Sequence, residues 1–108
     1  MIKVTFTEGG KLLSLFVDGH AGYAEVGQDI VCASASILAY TVAKMVSDAH
    51  DNGWLTESPS ISIEIGHMFV VCEPTDERYS EIRHIYTVAS EGYALLAQNY
   101  PQYVRLMP

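Results

Sequence analysis

Ile2-Lys3-Val4-Thr5-Phe6-Thr7, then Glu8-Gly9-Gly10-Lys11, then Leu12-Leu13-Ser14-Leu15-Phe16-Val17-Asp18 is the stretch that decides the fold. Ile2, Val4 and Phe6 alternate with Lys3, Thr5 and Thr7, and a period of two places the apolar set on one face of a strand. Gly9 and Gly10 supply positive φ without steric cost, so residues 8–11 read as a turn. Leu12 to Asp18 returns as a second strand. Residues 1–18 therefore predict a β-hairpin with an apolar face that other elements must cover.

Outward from that hairpin, residues 19–28 form a loop with three glycines, Gly19, Gly22 and Gly27. Asp29 reads as the N-cap of a helix, its carboxylate facing free backbone N–H groups. The helix is expected over 30–51, with an apolar stripe of Val31, Ala35, Leu38, Val42, Met45 and Ala49. Asn52-Gly53 ends it, with Gly53 in the left-handed region. Ile61, Ile63 and Ile65 alternate with Ser62 and Glu64. Gly66-His67 reads as a two-residue turn, and Met68 to Glu73 as the returning strand. A second long helix is expected from Asp76 to about Asn99, before Pro101. On it Tyr79, Tyr86, Tyr93 and Tyr100 recur every seven residues, a stripe that suits either core or a dimer interface. Val104 and Leu106 suit a short last strand. The order β-β-α-β-β-α predicts an α+β fold: an antiparallel sheet of about four strands with two long helices on one face.

The chain has 108 residues, and reads as one domain over 1–108 that buries roughly two-thirds of its unfolded surface. Six Lys and Arg against thirteen Asp and Glu give a net charge of −7. That balance argues against a nucleic-acid partner, because duplex binding needs cations to neutralise phosphates. It suits a basic protein or peptide. No unbroken apolar run reaches the ~18 residues of a membrane helix, and no signal-peptide pattern opens the chain. The expectation is a cytoplasmic protein without a membrane partner. Two cysteines make no disulfide framework. No Cys-x-x-Cys or His-Glu-x-x-His spacing occurs, so no metal and no cofactor is expected.

Chemistry concentrates in residues 19–36. With Asp29 as N-cap, Cys32 falls at the third helical position, near unpaired N–H groups and the positive end of the helix dipole. Such a site favours the thiolate, which is the nucleophilic form. His20 lies at the exit of the second strand, and the intervening loop can fold back to bring imidazole and sulfur together. A nucleophile with a base in reach is the minimal unit of covalent catalysis. The plain alternative for Cys32 is a small buried hydrophobe. Ser36 is one turn beyond Cys32 on the same face, suited to holding a water, a substrate group or His20 in place, or simply to close packing. Asp29 reads first as the cap, and second as the group that orients His20. First-turn N–H groups, that of Cys32 included, suit an oxyanion hole. Gly19, Gly22 and Gly27 permit the loop to move over a substrate, or mark a static turn. Cys72, in Phe69-Val70-Val71-Cys72, reads as core. His50, His67 and His84 read as surface or boundary residues.

Gly19-His20-Ala21-Gly22-Tyr23-Ala24, Asp29-Ile30-Val31-Cys32-Ala33 and Ser36 resemble the signature of the ribosomal-processing cysteine protease family Prp. The closing segment, with Gly92-Tyr93, Leu95-Leu96 and Asn99-Tyr100-Pro101-Gln102-Tyr103-Val104, is similar to that family's as well. The resemblance spans essentially the whole chain. It implies a homodimeric cysteine endopeptidase of the bacterial cytosol. Such enzymes remove the N-terminal extension of a large-subunit ribosomal protein, the twenty-seventh, cutting after an aromatic pair. Carried over by position, Cys32 is the nucleophile and His20 the general base, with Asp29 and Ser36 in support. Gly19 and Gly22 would shape a mobile loop. One departure is Ser34, where the family commonly has a second alanine after the cysteine. An aromatic-recognising cleft needs an apolar wall, for which Tyr23 and Tyr40 are candidates. The rival reading is a non-enzymatic ribosome-associated protein-binding module with an inert Cys32. A further rival is a redox sensor pairing Cys32 with Cys72.

Overall fold

A computed structural model describes residues 1–25 and 27–108, so the loop reading at residue 26 lies outside the described residues. The first hairpin forms as expected, with β1 at Ile2–Gly9 and β2 at Leu12–Asp18, paired antiparallel. Helix α1 spans Ile30–Asp51. Strands β3, Ser60–Glu64, and β4, His67–Cys72, make the second hairpin. Helix α2 spans Tyr79–Asn99, and β5 is Val104–Leu106.

These strands join one sheet in the order β3-β4-β2-β1-β5. The class is α+β, but the sheet has five strands rather than four, and it is mixed. β5 runs parallel to β1, with Ile2 opposite Val104. The short last strand expected at Val104 and Leu106 forms as β5, and the row of free groups on β1 is what it pairs with. Two further readings shift. The β3–β4 turn is Ile65-Gly66, not Gly66-His67, because Glu64 pairs with His67 and Gly66 carries the positive φ, 87°. Helix α2 begins at Tyr79, since residues 76–78 form a turn in which the Arg78 N–H donates to the Thr75 carbonyl.

One face of the sheet carries Ile2, Val4, Leu13, Leu15, Val17, Met68 and Val70, all buried beneath the helices. The buried side of α1 is Val31, Ala35, Ala39, Val42, Ala43, Val46 and Ala49. Ala39 and Val46 thus stand where the stripe had Leu38 and Met45, and Met45 is 46% exposed. Small residues face inward because α1 packs closely against the sheet and α2; Gly92 of α2 leaves room for Leu38. In length and average apolarity α1 also meets the composition of a membrane span, although no unbroken apolar run occurs. Its buried stripe is accounted for by the core.

The middle of the tyrosine stripe of α2 is core, while Tyr79 and Tyr100 at its ends are half-buried. Tyr86 and Tyr93 are 1% and 0% exposed. Tyr86 Oη donates to the Val70 carbonyl at 3.0 Å, and Tyr93 Oη to the Ala35 carbonyl at 2.7 Å. Burial pushes both phenols above the usual tyrosine range, so both stay protonated donors. Tyr93 thereby ties α2 to the first turns of α1, the helix that carries Cys32. Tyr93→Phe is expected to cost about 1 kcal/mol, the worth of one buried hydrogen bond. Tyr93→Ala should cost about 3–5 kcal/mol by leaving a cavity. Urea unfolding of the two variants measures both.

Candidate active site

The site begins with Asp29. Its backbone is extended, φ −85° and ψ 99°, and its Oδ1 accepts the Cys32 N–H at 2.9 Å. Its Oδ2 accepts the N–H groups of Tyr23 at 3.1 Å and Ala24 at 3.3 Å. One carboxylate therefore caps α1 and gathers the preceding loop onto the helix start. Burial opposes ionisation here. The N–H donors of Cys32, Ala24, Tyr23 and Val31 outweigh it and hold the Asp29 carboxyl below its ordinary 3.8.

This arrangement revises two expectations. The Cys32 N–H belongs to Asp29, and the Ala33 N–H donates to the Asp29 carbonyl at 3.0 Å, so neither is free to serve as an oxyanion donor. The carboxylate itself therefore occupies the positive end of the helix. No hydrogen bond joins Asp29 to His20 among the described residues; Asp29 acts as cap and loop anchor.

His20 approaches from the other side. The Gly19 N–H donates to the Gly66 carbonyl at 2.8 Å, and the Met1 amino group to the His20 carbonyl at 2.6 Å. Gly19 has φ 97°, and a Cβ there would run into the Met1 carbonyl. Only glycine passes at this point. The His20 ring lies over Gly66.

Cys32 and His20 line one cavity of about 320 Å³, together with Asp29 and Ser36. Ala24, Ala33, Ile65 and the loop glycines Gly22 and Gly27 also line it. The volume lies at the small end of ligand pockets, roughly 300–1,000 Å³. Cys32 is half-buried and His20 exposed. Among the described residues no hydrogen bond joins the His20 ring to Cys32 Sγ. Such bonds commonly tighten only when substrate is bound. A larger cavity, about 580 Å³, opens beside the start of α2 and includes Ser80 and His84, but among the described residues no cysteine lines it and no hydrogen bond joins that pair.

Ser34 turns away from the cavity and donates to the Ile30 carbonyl at 2.7 Å, so the departure from the family pattern is satisfied within its own helix. Neither tyrosine proposed for the apolar wall lines the cavity. Tyr23 packs edge-on against Tyr100 and Tyr103, centroids 5.7 and 5.2 Å apart, and Tyr40 points outward at 53% exposure. Ile65 takes that place. Its signal in the sequence was a large apolar residue just before the turn glycine. Cys72 is buried with its Sγ 3.5 Å from Tyr86 Oη, and burial pushes its thiol up. Both cysteines are free thiols. His67 Nδ1 pairs with Asp18 Oδ1 at 2.6 Å, away from either cysteine's bonds.

Comparison with known proteins follows the same lines. The family model described as cysteine protease Prp matches residues 1–105. A ribosomal processing cysteine protease Prp of Staphylococcus aureus is 26% identical over 107 residues, covering 97% of this chain and 94% of that protein. The S. aureus Prp crystal structure with a covalently linked product peptide is similar with a TM-score of 0.70 and 30% identity, covering 98% of this chain and 97% of that one. A Streptococcus mutans structure is similar with a TM-score of 0.65 and 27% identity, covering 98% and 91%. The match over nearly the full length, on a fold that brings Cys32 and His20 to one cavity, establishes that the chain belongs to the Prp family of cysteine proteases.

Proposed function

We propose that the protein is a cysteine endopeptidase in which Cys32 is the nucleophile and His20 the general base. Its substrate is the N-terminal extension of a large-subunit ribosomal protein, the twenty-seventh. The observation that carries the reading is the shared cavity, in which a half-buried thiol and an exposed imidazole converge from different elements. His20 takes the thiol proton as Cys32 Sγ attacks the scissile carbonyl. The tetrahedral intermediate collapses, the C–N bond breaks, and His20 returns the proton to the leaving amine. A thioester remains. Water, deprotonated by His20, cleaves it and restores the thiol.

The relatives support this reading. The S. aureus protein is named for ribosomal processing, and its structures hold a covalently linked product peptide in one case and a substrate peptide in another. The net charge of −7 favours a basic ribosomal protein as substrate at low salt. We also place the enzyme in the cytoplasm, as a homodimer. Ile37, Val88 and Leu95 are each about 60% exposed on the helices and offer apolar surface for a second copy.

The test is iodoacetamide labelling followed by mass spectrometry and assay against the extended ribosomal protein. Cys32 should be alkylated, Cys72 spared, and cleavage lost in proportion to labelling. His20→Ala should slow both alkylation at neutral pH and cleavage by about 10²-fold or more. Full cleavage by enzyme alkylated at Cys32 would refute the mechanism.

A further inference from the structure

The cavity has a third contributor besides the loop and α1: the β3–β4 turn. We infer that this turn is a working part of the site, in which Gly66 positions the His20 imidazole and Ile65 contacts an apolar side chain of the substrate. The inference rests on the assignment of Cys32 and His20 above.

Gly66 meets His20 in two ways. Its carbonyl accepts the N–H of Gly19, the residue before His20, at 2.8 Å. Its bare Cα leaves space for the ring; a Cβ there would stand 2.6 Å from His20 Nε2 and 2.8 Å from Cε1. Any larger residue displaces the imidazole. Beside this contact the strands are pinned by the Asp18–His67 pair at 2.6 Å, two residues before His20. The base is therefore seated on the sheet while the rest of its loop hangs from Asp29.

Ile65 is the most exposed large apolar side chain among the described residues, at 74%. A lone exposed isoleucine needs no explanation. This one stands at the tip of a tight turn and lines the cavity that holds Cys32, facing the same space as Ala24 and Ala33. A peptide entering the cavity covers it. Apolar side chains beside the scissile bond gain from that contact, and charged ones lose water without compensation.

The two residues act on different kinetic parameters. Loss of the Ile65 contact weakens binding, whereas displacement of His20 slows the chemistry. The experiment compares wild type, Ile65→Ala, Gly66→Ala and Gly10→Ala on two peptides, with Phe or Asp immediately before the scissile bond. Gly10 is the control: its φ is also positive, 60°, and a Cβ there meets nothing within 4 Å. Ile65→Ala should raise KM for the Phe peptide about tenfold with kcat within about twofold, narrowing its preference over the Asp peptide. Gly66→Ala should lower kcat by about 10²-fold, shift the pH profile of kcat and move the His20 ring resonances in NMR. Gly10→Ala should behave as wild type in all three. The inference is overturned if Gly66→Ala loses no more kcat than Gly10→Ala, or if Ile65→Ala leaves KM and preference unchanged. Should Gly66→Ala fail to fold, Ile65→Ala, altered only at an exposed side chain, decides by its KM. Activity surviving in Cys32→Ala would instead bring down the assignment beneath.

Discussion

Cys32→Ala is expected to leave a folded protein in which cleavage of the extended peptide is lost, with kcat/KM reduced on the order of 10⁴-fold or more. The size of the loss follows from covalent catalysis: without the sulfur no thioester forms, and only binding in the cavity remains. The fold survives because Cys32 is half-buried at a cavity wall and its structural contribution is its backbone N–H, which alanine retains for Asp29. Thermal unfolding should shift by no more than about 1 kcal/mol equivalent. Cys72→Ala gives the opposite pattern. Its sulfur is packed in the core against Tyr86, so stability falls by about 1–2 kcal/mol while cleavage persists. Peptide cleavage followed by mass spectrometry, paired with urea unfolding, distinguishes the two cysteines. Undiminished cleavage by Cys32→Ala would remove the nucleophile from the proposal.

Asp29→Ala should damage both stability and activity. Removing an N-cap acceptor costs about 0.5–2 kcal/mol. The loss should fall at the upper end here, because the N–H groups of Tyr23 and Ala24 are released along with that of Cys32. Asp29→Asn separates the two roles. Its amide oxygen still caps α1, but its NH₂ then faces the loop donors, donor against donor. It should therefore keep the cap on Cys32, lose the two loop bonds, and lower cleavage by about tenfold or more, since Ala24 of that loop lines the cavity while His20 stays seated on the sheet.

The same carboxylate predicts an acid limb. Its folded pKa lies below the ordinary 3.8, so folding favours the ionised form. The stability it contributes is present in full above the unfolded value and is lost as pH falls through the folded one. Glu8 adds to this limb. Hydrogen bonds from Arg83 and Tyr79 hold it below its ordinary 4.5, at the junction of β1 and α2. Melting temperatures between pH 7 and pH 3 should fall mainly below about pH 4.5 in wild type. The limb should be shallower in Asp29→Ala. An unchanged acid limb in that variant would show that the carboxylate is not the group responsible.

The amino-acid sequence by itself determined the local elements and pointed to the two groups, Cys32 and His20, that the fold brings to one cavity. Alternation marked β1 and β2, glycine marked their turn, Asp29 marked the first residue of α1, and Gly53 its end. Cys32 and His20 were legible because a cap and a strand exit each act over a few residues. Tertiary structure alone decided the rest. Whether Leu38 or Ala39 faces inward depends on how closely α1 lies against α2 and the sheet, not on helical period. That the short last strand runs parallel to β1, making the sheet mixed, followed from the free edge that β1 offered. Asp29 took the N–H of Cys32 while reaching back to Tyr23 and Ala24, which a cap motif does not reveal. Gly66 came beneath His20 only through the register of β2 against β4. Local readings rest on backbone preferences and nearest neighbours. The shape of the site rests on distances between residues far apart in the chain, and these exist only once the sheet has formed.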